Sequence, residues 1–471
     1  MDPTLATDLA HLPALLAATH RAAATTLATL DARPVVPPPT KPPTKPPTPA
    51  PLPEHATGTT AALAAFQDRW EPRLSASAGP RYLGFVTGGA TPAALAGDWL
   101  TSAHDQNSNS SFDGAGQDLE RETVGWLRTL FHLSDAHSGT FVSGATMSNT
   151  TGLAIAREWL GERLGVSPAE DGVAALGPVR VLSGAPHSSI AKALSILGLG
   201  RSSLVRIPTL PDREAVDPAA LDRALADTPG PAVVVANAGT VNTVDFDDLP
   251  AIAALRDRHD FWLHTDAAFG AFAALSPDHA HLADGIDASD SLCVDLHKWL
   301  NVPYDSAVQF TRRPDLQARV FQARIFQEGA AYLGSLGDQP DLVHLTPENS
   351  HRLRALAAWF TLRAYGRQGH REIVERDIAC ARALGAALER DPAFRLLAPV
   401  RLNVACFTLA DDPTPARLTA LREAVGAEVF VTPTVYAGTP ALRAAFSNWR
   451  TTQADVRRAA EALGAAAREI A

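Results

Sequence analysis

The residues most suited to carry out chemistry are His297 and Lys298, within the stretch Ser291–Tyr304, SLCVDLHKWLNVPY. The pattern from Ser291 to Asp295 predicts a short buried strand, and Pro303 prevents a helix from continuing past the dipeptide. A lysine at this point can lie in a pocket, where burial and nearby cations lower its pKa. The neutral amine can then attack an aldehyde and form a Schiff base. The dipeptide alone leaves open that Lys298 is a surface lysine after a strand.

A second candidate is the segment FVSGATMSN, which runs from Phe141 to Asn149. Its pattern predicts a strand, a glycine-containing turn and then a helix. Gly144, Ala145 and Thr146 would place backbone N–H groups and a hydroxyl at the helix N-terminus, which is an anion site suited to a phosphate. The alternative is an ordinary helix start capped by Thr146 or by Ser148.

Two further strand ends carry polar groups that a ligand could use. His187, in Pro186-His187-Ser188, could stack on an aromatic ligand or relay protons, or it could be a histidine of a capping loop. Thr240 follows a valine-rich strand in ANAGTVNT and could offer a hydroxyl to a ligand, or it could belong to a plain turn.

The segment HTDAA ends another apolar strand and contains Asp266 and Ala268. A carboxylate in this position is costly unless it is paired. The protonated ring nitrogen of a ligand would pair with Asp266, and Ala268 would leave space for a flat ring. A salt bridge between Asp266 and an arginine is the alternative.

Alternating strands and helices must position these groups. The strands are predicted at Gly139–Val142, Val179–Ser183, Leu204–Ile207, Ala232–Asn237, Phe261–Thr265, Leu292–Asp295 and Ala307–Thr311. The helices are predicted at Leu119–Phe131, Ser148–Leu164, Ser188–Leu197, Pro218–Ala226 and Leu249–Arg258. This alternation predicts an α/β fold with a mostly parallel sheet covered by helices, and with ligands at the carboxyl ends of the strands.

Three regions are expected along the chain. Residues 1–58 form an N-terminal helical segment over Asp2–Leu30, followed by a proline-rich strap over Pro34–Pro53. Residues 59–349 form the large domain. Residues 350–471 form a small C-terminal α+β domain, with elements predicted at Arg352–Tyr365, Glu372–Leu388, Ala405–Leu409, Glu428–Thr432 and Ala454–Ile470.

Composition excludes several classes of function. The 471 residues carry a net charge of −10, which argues against nucleic acid or an anionic membrane as a partner. Three separated cysteines form neither a disulfide framework nor a metal motif, so we expect a reducing, cytoplasmic compartment and no metal. No secretory signal and no membrane-spanning run is expected.

The five strand ends together supply a phosphate cradle, a stacking histidine, a hydroxyl, a carboxylate and a lysine. Pyridoxal 5′-phosphate (PLP) is one ligand that needs all five. The lysine would bind its aldehyde, the carboxylate would keep its pyridine nitrogen protonated, and the helix end would hold its phosphate.

The sequence resembles the group II PLP-dependent decarboxylases of fold type I, which act on aromatic amino acids, glutamate, histidine and tyrosine. The resemblance covers the chain from about Pro80 to the C-terminus and rests on SGATMSN, PHSS, HTDAAFG and DLHKW in that order. It implies Lys298 as the Schiff-base lysine and His187 as the stacked, catalytic histidine. It places Asp266 on the ring nitrogen and these other groups around the cofactor: Gly144, Ala145, Thr146, Thr240, Ala268 and His297.

The same resemblance implies residues for the substrate. Arg443 matches an arginine for the α-carboxylate, and Phe85 and Thr87 match a segment that shapes the substrate pocket. Gln327–Gln339 matches a mobile loop that closes over the site of a partner subunit, and its Tyr332 fits the catalytic proton donor. Met147, Asp295 and the segment Ser350-His351-Arg352 depart from the common pattern, and Asp295 would put a negative charge near the phosphate unless it faces away.

We therefore expect a homodimeric amino acid decarboxylase with active sites at the interface, a small-molecule substrate and an aromatic or apolar substrate side chain. Two alternatives remain. One is aldehyde-forming oxidative deamination or transamination on the same fold, and the other is a cofactor-free interaction protein that uses the proline strap as its ligand.

Overall fold

A seven-stranded sheet forms the centre of the protein in the computed structural model, which describes residues 1–38, 51–109, 111, 114–322 and 340–470. Its strands are β1 (Ser138–Val142), β2 (Val181–Ser183), β3 (Leu204–Arg206), β4 (Ala232–Asn237), β5 (Phe261–Asp266), β6 (Ser291–Asp295) and β7 (Ala307–Thr311). The order across the sheet is β1-β7-β6-β5-β4-β2-β3. Strands β3, β2, β4, β5 and β6 are parallel, and β7 is antiparallel to both of its neighbours.

All seven predicted strands are present in this one sheet, and the α/β fold with a mostly parallel sheet is confirmed. Because β7 is antiparallel to both β6 and β1, the strand β1 runs in the same direction as β6. The carboxyl ends of β1, β2, β4, β5 and β6 therefore meet at one edge. The five strand-end segments proposed from the sequence follow these strands at this edge.

Helices cover the sheet and precede it. They are α1 (Pro3–Ala10), α2 (Leu12–Ala28), α3 (Thr59–Arg69), α4 (Pro92–His104), α5 (Gly116–Leu130), α6 (Ala145–Leu164), α7 (Pro168–Asp171), α8 (Ser188–Ile196), α9 (Pro218–Ala226), α10 (Leu249–Ala254), α11 (Leu296–Trp299) and α12 (Pro314–Phe321). Helix α9 has the predicted bounds, because Asp217 caps it and Pro218 occupies its first position. Helix α10 is shorter than predicted and ends in a 3₁₀ turn over Leu255–Asp257.

The N-terminal segment forms two helices, α1 and α2, and their leucines at 5, 9, 12 and 16 are exposed. The first residues of the strap are hydrogen-bonded to the C-terminal region. The backbone N–H groups of Val35 and Val36 donate to the carbonyls of Ala427 and Gly426, respectively. The centre of the predicted strap, 39–50, lies outside the described residues.

The C-terminal region adds a second sheet. Its elements are α13 (Ala355–Arg390), β8 (Phe394–Leu396), β9 (Val404–Leu409), α14 (Pro415–Val425), β10 (Thr432–Tyr436), β11 (Thr439–Ala445) and α15 (Gln453–Glu469). The strands are antiparallel in the order β10-β11-β9-β8.

Three expectations for this region need correction. The two helices predicted on either side of Gly366 form one helix, α13, with a kink at Gly366, where φ is 59°. The strand predicted at Glu428–Thr432 lies later, at Thr432–Tyr436, because the earlier segment pairs only through an isolated bridge between Phe430 and Tyr82. Strands β8 and β11 were not predicted.

The hydrophobic core has two large parts. One fills the space between the seven-stranded sheet and its helices, and the other lies between the small sheet and helices α13, α14 and α15. Across the described ranges, no helix combines the length and the apolarity needed to cross a membrane.

Candidate active site

A cleft opens at the carboxyl edge of the large sheet, with about 610 Å³ of empty space when the solvent at its mouth is included. The cleft is lined by Phe85, Val86, Ala145, His187, Asn237, Gly239, Thr240, Val241, Asp266, Ala268, Phe269, Lys298 and Arg443. Eight of the residues proposed from the sequence are therefore brought to one place: Phe85, Ala145, His187, Thr240, Asp266, Ala268, Lys298 and Arg443.

Lys298 lies on the short helix α11, directly after β6, and its ammonium is paired. Lys298 Nζ is 2.9 Å from Asp295 Oδ2 and 5.4 Å from the centre of the Phe269 ring. Burial acts to lower the pKa of Lys298, but the charge and hydrogen bond of Asp295 together with the charge of Asp266 outweigh it, and the net pKa is raised. The expectation of a lowered lysine pKa is therefore wrong for the cofactor-free protein, because the charged neighbour of Lys298 is an anion.

The N-terminus of α6 faces the same carboxylate. The backbone N–H of Ala145 donates to Asp295 Oδ1 at 2.7 Å, and Thr146 follows in the first turn. Gly144 precedes the helix, and a Cβ at this position would lie 3.4 Å from His297 Cε1. Asp295 thus faces the expected phosphate site. Its carboxylate accepts a hydrogen bond from the Ala145 N–H, which is one of the donors expected to bind the phosphate.

His297 closes this end of the site. Its Nδ1 accepts the backbone N–H of Ser306 at 3.3 Å, its Nε2 is 3.4 Å from Asp295 Oδ2, and its ring packs on Tyr304 with 4.4 Å between ring centres. Burial lowers the pKa of His297. Because Nδ1 accepts a hydrogen bond, the neutral ring carries its proton on Nε2, toward Asp295.

Asp266 ends β5 and is held by donors. Asn149 Nδ2 donates to Asp266 Oδ2 at 2.9 Å, and the backbone N–H of Ala268 donates to Oδ1 at 3.2 Å. No arginine pairs with Asp266 in the described part of the chain, so the salt bridge considered as its alternative is not what holds it. A buried carboxylate held in this way can accept a further hydrogen bond from a cationic ring N–H.

His187 begins α8 and lies across the cleft from Asp266. Its Nδ1 accepts the backbone N–H of Ser189 at 3.2 Å and lies 2.8 Å from the Ser189 hydroxyl. Burial lowers the pKa of His187, so the ring is neutral at pH 7. The capping role that the sequence left open is therefore present, and the same ring also lines the cleft.

Thr240 lines the cleft, but its hydroxyl proton is already used. Thr240 Oγ1 donates to Glu214 Oε2 at 2.6 Å and accepts the backbone N–H of Asp245 at 2.9 Å. A ligand beside Thr240 would therefore meet a hydroxyl oxygen whose orientation is fixed.

Two of the three substrate candidates, Arg443 and Phe85, line the cleft, and Thr87 does not. Arg443 is on β11, donates from Nη1 to the carbonyl of Val241, and has a pKa that burial lowers. Phe85 is 61% exposed and packs beside Phe430. Thr87 is buried outside the cleft, where its Oγ1 lies 2.6 Å from Tyr304 Oη.

The Phe85 segment is held against the lysine by its backbone. Phe85 and Val86 both have φ of 57°, a conformation that costs free energy and is common at ligand sites. A Cβ at Gly88 would lie 1.8 Å from the carbonyl oxygen of Lys298, so glycine is required for this close approach. Asn301 Nδ2 donates to the carbonyl of Gly88 at 2.7 Å and fixes the contact.

Tyr332 and the rest of the loop Gln327–Gln339 lie outside the described residues. Sequence reasoning did not propose Asn237, Phe269 or Asn149, although the last two stand within the motifs HTDAAFG and SGATMSN. In the described part of the chain, no three potential metal ligands cluster.

The chemistry of these donors fits PLP. Lys298 offers an amine and Asp266 a carboxylate for a ring nitrogen, and the small side chain of Ala268 lines the same cleft. The end of α6, with Gly144 and His297 beside it, offers amide and imidazole donors to a phosphate. Asp295 is the one group that opposes an anion there.

Comparison with known proteins agrees with this geometry. Residues 43–410 match the pyridoxal-dependent decarboxylase conserved domain. The chain is 30% identical to an aromatic-L-amino-acid decarboxylase of Bacillus atrophaeus over 341 residues, covering 70% of this chain and 67% of the relative. It is 26% identical to an L-2,4-diaminobutyrate decarboxylase of Acinetobacter baumannii over 349 residues, covering 69% and 67%.

The fold is that of solved decarboxylases. The crystal structure of Oryza sativa TDC with PLP and tryptamine superimposes with a TM-score of 0.88 and 23% identity, covering 100% of this chain and 99% of the other. The match to the conserved domain extends over more than half of the chain, and the cleft carries the groups that PLP requires. The chain therefore belongs to the pyridoxal-dependent decarboxylase family and is a PLP-dependent amino acid decarboxylase.

Proposed function

We propose that this enzyme removes the α-carboxylate of an L-amino acid with an aromatic or apolar side chain and releases the amine. The observation that carries the proposal is the lining of one cleft by Lys298, Asp266, His187 and Arg443. Apolar groups of Phe85, Val86, Val241 and Phe269 form much of the remaining wall.

The charge of the cleft supports this substrate class. Among its lining residues, Arg443 and Lys298 are the two strong cations, and Lys298 is assigned to the cofactor. Arg443 remains for the α-carboxylate, and its buried Nε has no hydrogen-bond partner in the described residues. A second substrate carboxylate would find no further cation among the lining residues, whereas an aromatic ring would contact Phe85.

The residues around the cleft would hold PLP in the following way. Lys298 would bind the aldehyde, Asp266 would accept the ring N–H, and His187 would pack on the ring face. Ala145, Thr146 and His297 would hold the phosphate, with Gly144 leaving room, and Thr240 would lie at the ring edge. When bound, PLP supplies an aldehyde for the amine and a protonated ring that accepts electrons as CO₂ leaves.

Proton return to the α-carbon is assigned to Tyr332 or His187. A phenol with a pKa near ~10 is protonated at neutral pH and can donate. His187 is neutral and carries its available proton on Nε2, since Nδ1 accepts from Ser189. Thr87 would shape the substrate pocket by holding the Phe85 segment in place, since its Oγ1 lies 2.6 Å from Tyr304 Oη.

The enzyme would act in the cytoplasm as a homodimer, with the loop that contains Tyr332 completing the site of the partner subunit. The three free cysteines are buried, which is compatible with a reducing compartment. Exposed leucines on α1 and α2 offer an apolar surface to a second copy.

The test is a screen of the twenty amino acids for CO₂ release by the PLP-loaded enzyme, with products identified by mass spectrometry. Amine and CO₂ in equal amounts from an aromatic or apolar amino acid support the proposal. Glutamate as the best substrate contradicts the substrate class. Peroxide and ammonia in place of amine would show oxidative deamination, and formation of an oxo acid without CO₂ would show transamination.

A further inference from the structure

Asn149 connects two groups that face the cleft from different elements. It lies on α6 and is fully buried. Its side-chain Nδ2 donates both to Asp266 Oδ2, at 2.9 Å, and to Ser189 Oγ, at 3.0 Å. Ser189 Oγ is in turn 2.8 Å from His187 Nδ1. One amide group thus contacts Asp266 directly and His187 through one hydroxyl.

The orientation of this amide follows from its neighbours. An ionised carboxylate only accepts hydrogen bonds, so Asn149 must turn its NH₂ toward Asp266 and its oxygen the other way. Asn149 Oδ1 then faces His264 Nε2 at 2.9 Å. Since an amide oxygen only accepts, His264 must carry its proton on Nε2.

The far end of the same chain of hydrogen bonds fits this assignment. The indole N–H of Trp262 only donates, and it donates to Ser291 Oγ at 2.9 Å. The Ser291 hydroxyl keeps its own proton, which it can donate to His264 Nδ1, 2.8 Å away. An unprotonated His264 Nδ1 thus has a donor, in agreement with the proton placed on Nε2 from the Asp266 side.

Burial keeps this arrangement in one state. Trp262, His264 and Ser291 are each at most 1% exposed. Burial lowers the pKa of His264 to about 4, so the ring is neutral at neutral and mildly acidic pH. A chain of hydrogen bonds in which each donor meets an acceptor, within a buried environment, resists rearrangement.

The second branch fixes the proton of His187. The backbone N–H of Ser189 donates to His187 Nδ1, and the Ser189 hydroxyl accepts from Asn149 and so directs its proton to the same Nδ1. His187 therefore carries its proton on Nε2. Asn149 contacts both branches, because its NH₂ donates to Asp266 Oδ2 and to Ser189 Oγ.

We propose that Asn149 is a positioning residue that holds Asp266 as an accepting carboxylate and His187 as its Nε2–H form, and that Trp262, Ser291 and His264 fix its orientation. This inference rests on the proposed roles of Asp266 and His187 toward PLP. It assigns to one buried amide the joint alignment of the group on the ring nitrogen and the group on the ring face.

The first experiment titrates cofactor-free full-length protein with PLP, following absorbance, for wild type and for Asn149→Leu. Loss of the hydrogen bond to a charged group predicts binding weaker by roughly 10- to 100-fold. The absorbance of bound PLP should also depend on pH more strongly than in wild type, because Asp266 loses one of its two hydrogen-bond donors. Asn149→Gln, which keeps the amide, should recover part of the affinity.

Thr151→Val is the matched control. Thr151 lies two positions along the same helix and is fully buried, and its hydroxyl has no hydrogen-bond partner in the described residues. The Thr151→Val variant should bind PLP with the same affinity as wild type. Asn149→Leu with the affinity and pH profile of Thr151→Val would overturn the inference, whereas wild type that binds no PLP would overturn the proposed function instead.

A second measurement decides the matter if Asn149→Leu does not fold. Nitrogen NMR of wild-type protein labelled with ¹⁵N-histidine reports which ring nitrogen carries the proton, and His264→Gln identifies the signals of His264. We expect His264 in its neutral Nε2–H form from pH 5.5 to 8. A Nδ1–H form, or titration of His264 within this range, would contradict the chain of donors.

Discussion

Asp295 and Lys298 form a buried ion pair whose removal makes a quantitative prediction. Their charged atoms are 2.9 Å apart, Asp295 is 3% exposed and Lys298 is 16% exposed. Two unit charges at this distance attract by about 6 kcal/mol at an effective dielectric constant of ~20. Burial of both charges opposes this attraction, but the pKa of Lys298 is raised because Asp295 and Asp266 together favour its charged form.

We expect Asp295→Asn and Lys298→Met each to lower the free energy of unfolding of the cofactor-free protein by about 2–4 kcal/mol, after allowance for the partial exposure of the lysine. Each single change leaves one charge without its partner. The double variant should be more stable than the sum of the single changes predicts, with a coupling energy of about 2–4 kcal/mol. Urea unfolding at fixed protein concentration gives the free energy of unfolding of wild type, of the two single variants and of the double variant.

The matched control is the pair Arg371–Glu375, which has the same 2.9 Å separation but is 45% and 38% exposed. A double-mutant cycle with Arg371→Met and Glu375→Gln should give a coupling energy of only about 0.3–0.5 kcal/mol for this pair. Equal coupling in the two cycles would refute the argument that burial strengthens the Asp295–Lys298 pair.

The sign of the pH dependence follows from the raised pKa of Lys298. A cation whose pKa is higher in the folded state contributes stability that is fully present below its ordinary value of 10.5 and is lost as the pH rises through the folded value. The cost of Asp295→Asn should therefore be constant near neutral pH and shrink above about 10.5. A cost that falls between pH 6 and 8 would point to another titrating group.

Four further predictions concern the reaction and the assembly. Lys298→Ala should abolish turnover and remove the absorbance of covalently bound cofactor, and a variant that keeps both would show that another amine holds PLP. Asp266→Asn should retain part of the bound cofactor but lose most activity, because a neutral amide cannot keep the ring nitrogen protonated; near-normal turnover measured with bound cofactor would count against this role. Tyr332→Phe should still release CO₂ but shift the product from amine toward aldehyde, ammonia and peroxide as oxygen competes for the unprotonated carbon, and mass spectrometry that finds only amine would remove Tyr332 as proton donor. Deletion of residues 1–53 should weaken the dimer in sedimentation, whereas unchanged dimer affinity would place the interface elsewhere.

The central sheet was predictable because its strands are short apolar runs that end in polar or glycine-containing segments. Parallel strands bring their carboxyl ends to one edge, so Ala145, His187, Thr240, Asp266 and Lys298 could be expected together without knowledge of any contact. The structure confirms that these residues line one cleft.

The surroundings of those residues were not predictable. The pKa of Lys298 depends on where the Asp295 carboxylate points, and sequence gives the presence of a charge but not its direction. Asn149 lies on a helix that is buried on most of its surface, including its polar residues, so no amphipathic pattern marks the side that faces Asp266. Strand β11 was missed although it carries Arg443, which was proposed through resemblance alone.

The kinked helix α13 has a consequence for how the protein holds together. Its first half contributes Ala358 and Leu362 to the core of the large sheet, and its second half contributes Leu384 and Leu388 to the core of the small one. One kinked helix thus packs into both cores, and each of these two regions supplies a lining residue of the cleft, Lys298 from one and Arg443 from the other. The spacing of Arg443 and Lys298 therefore depends on the packing of both cores against α13.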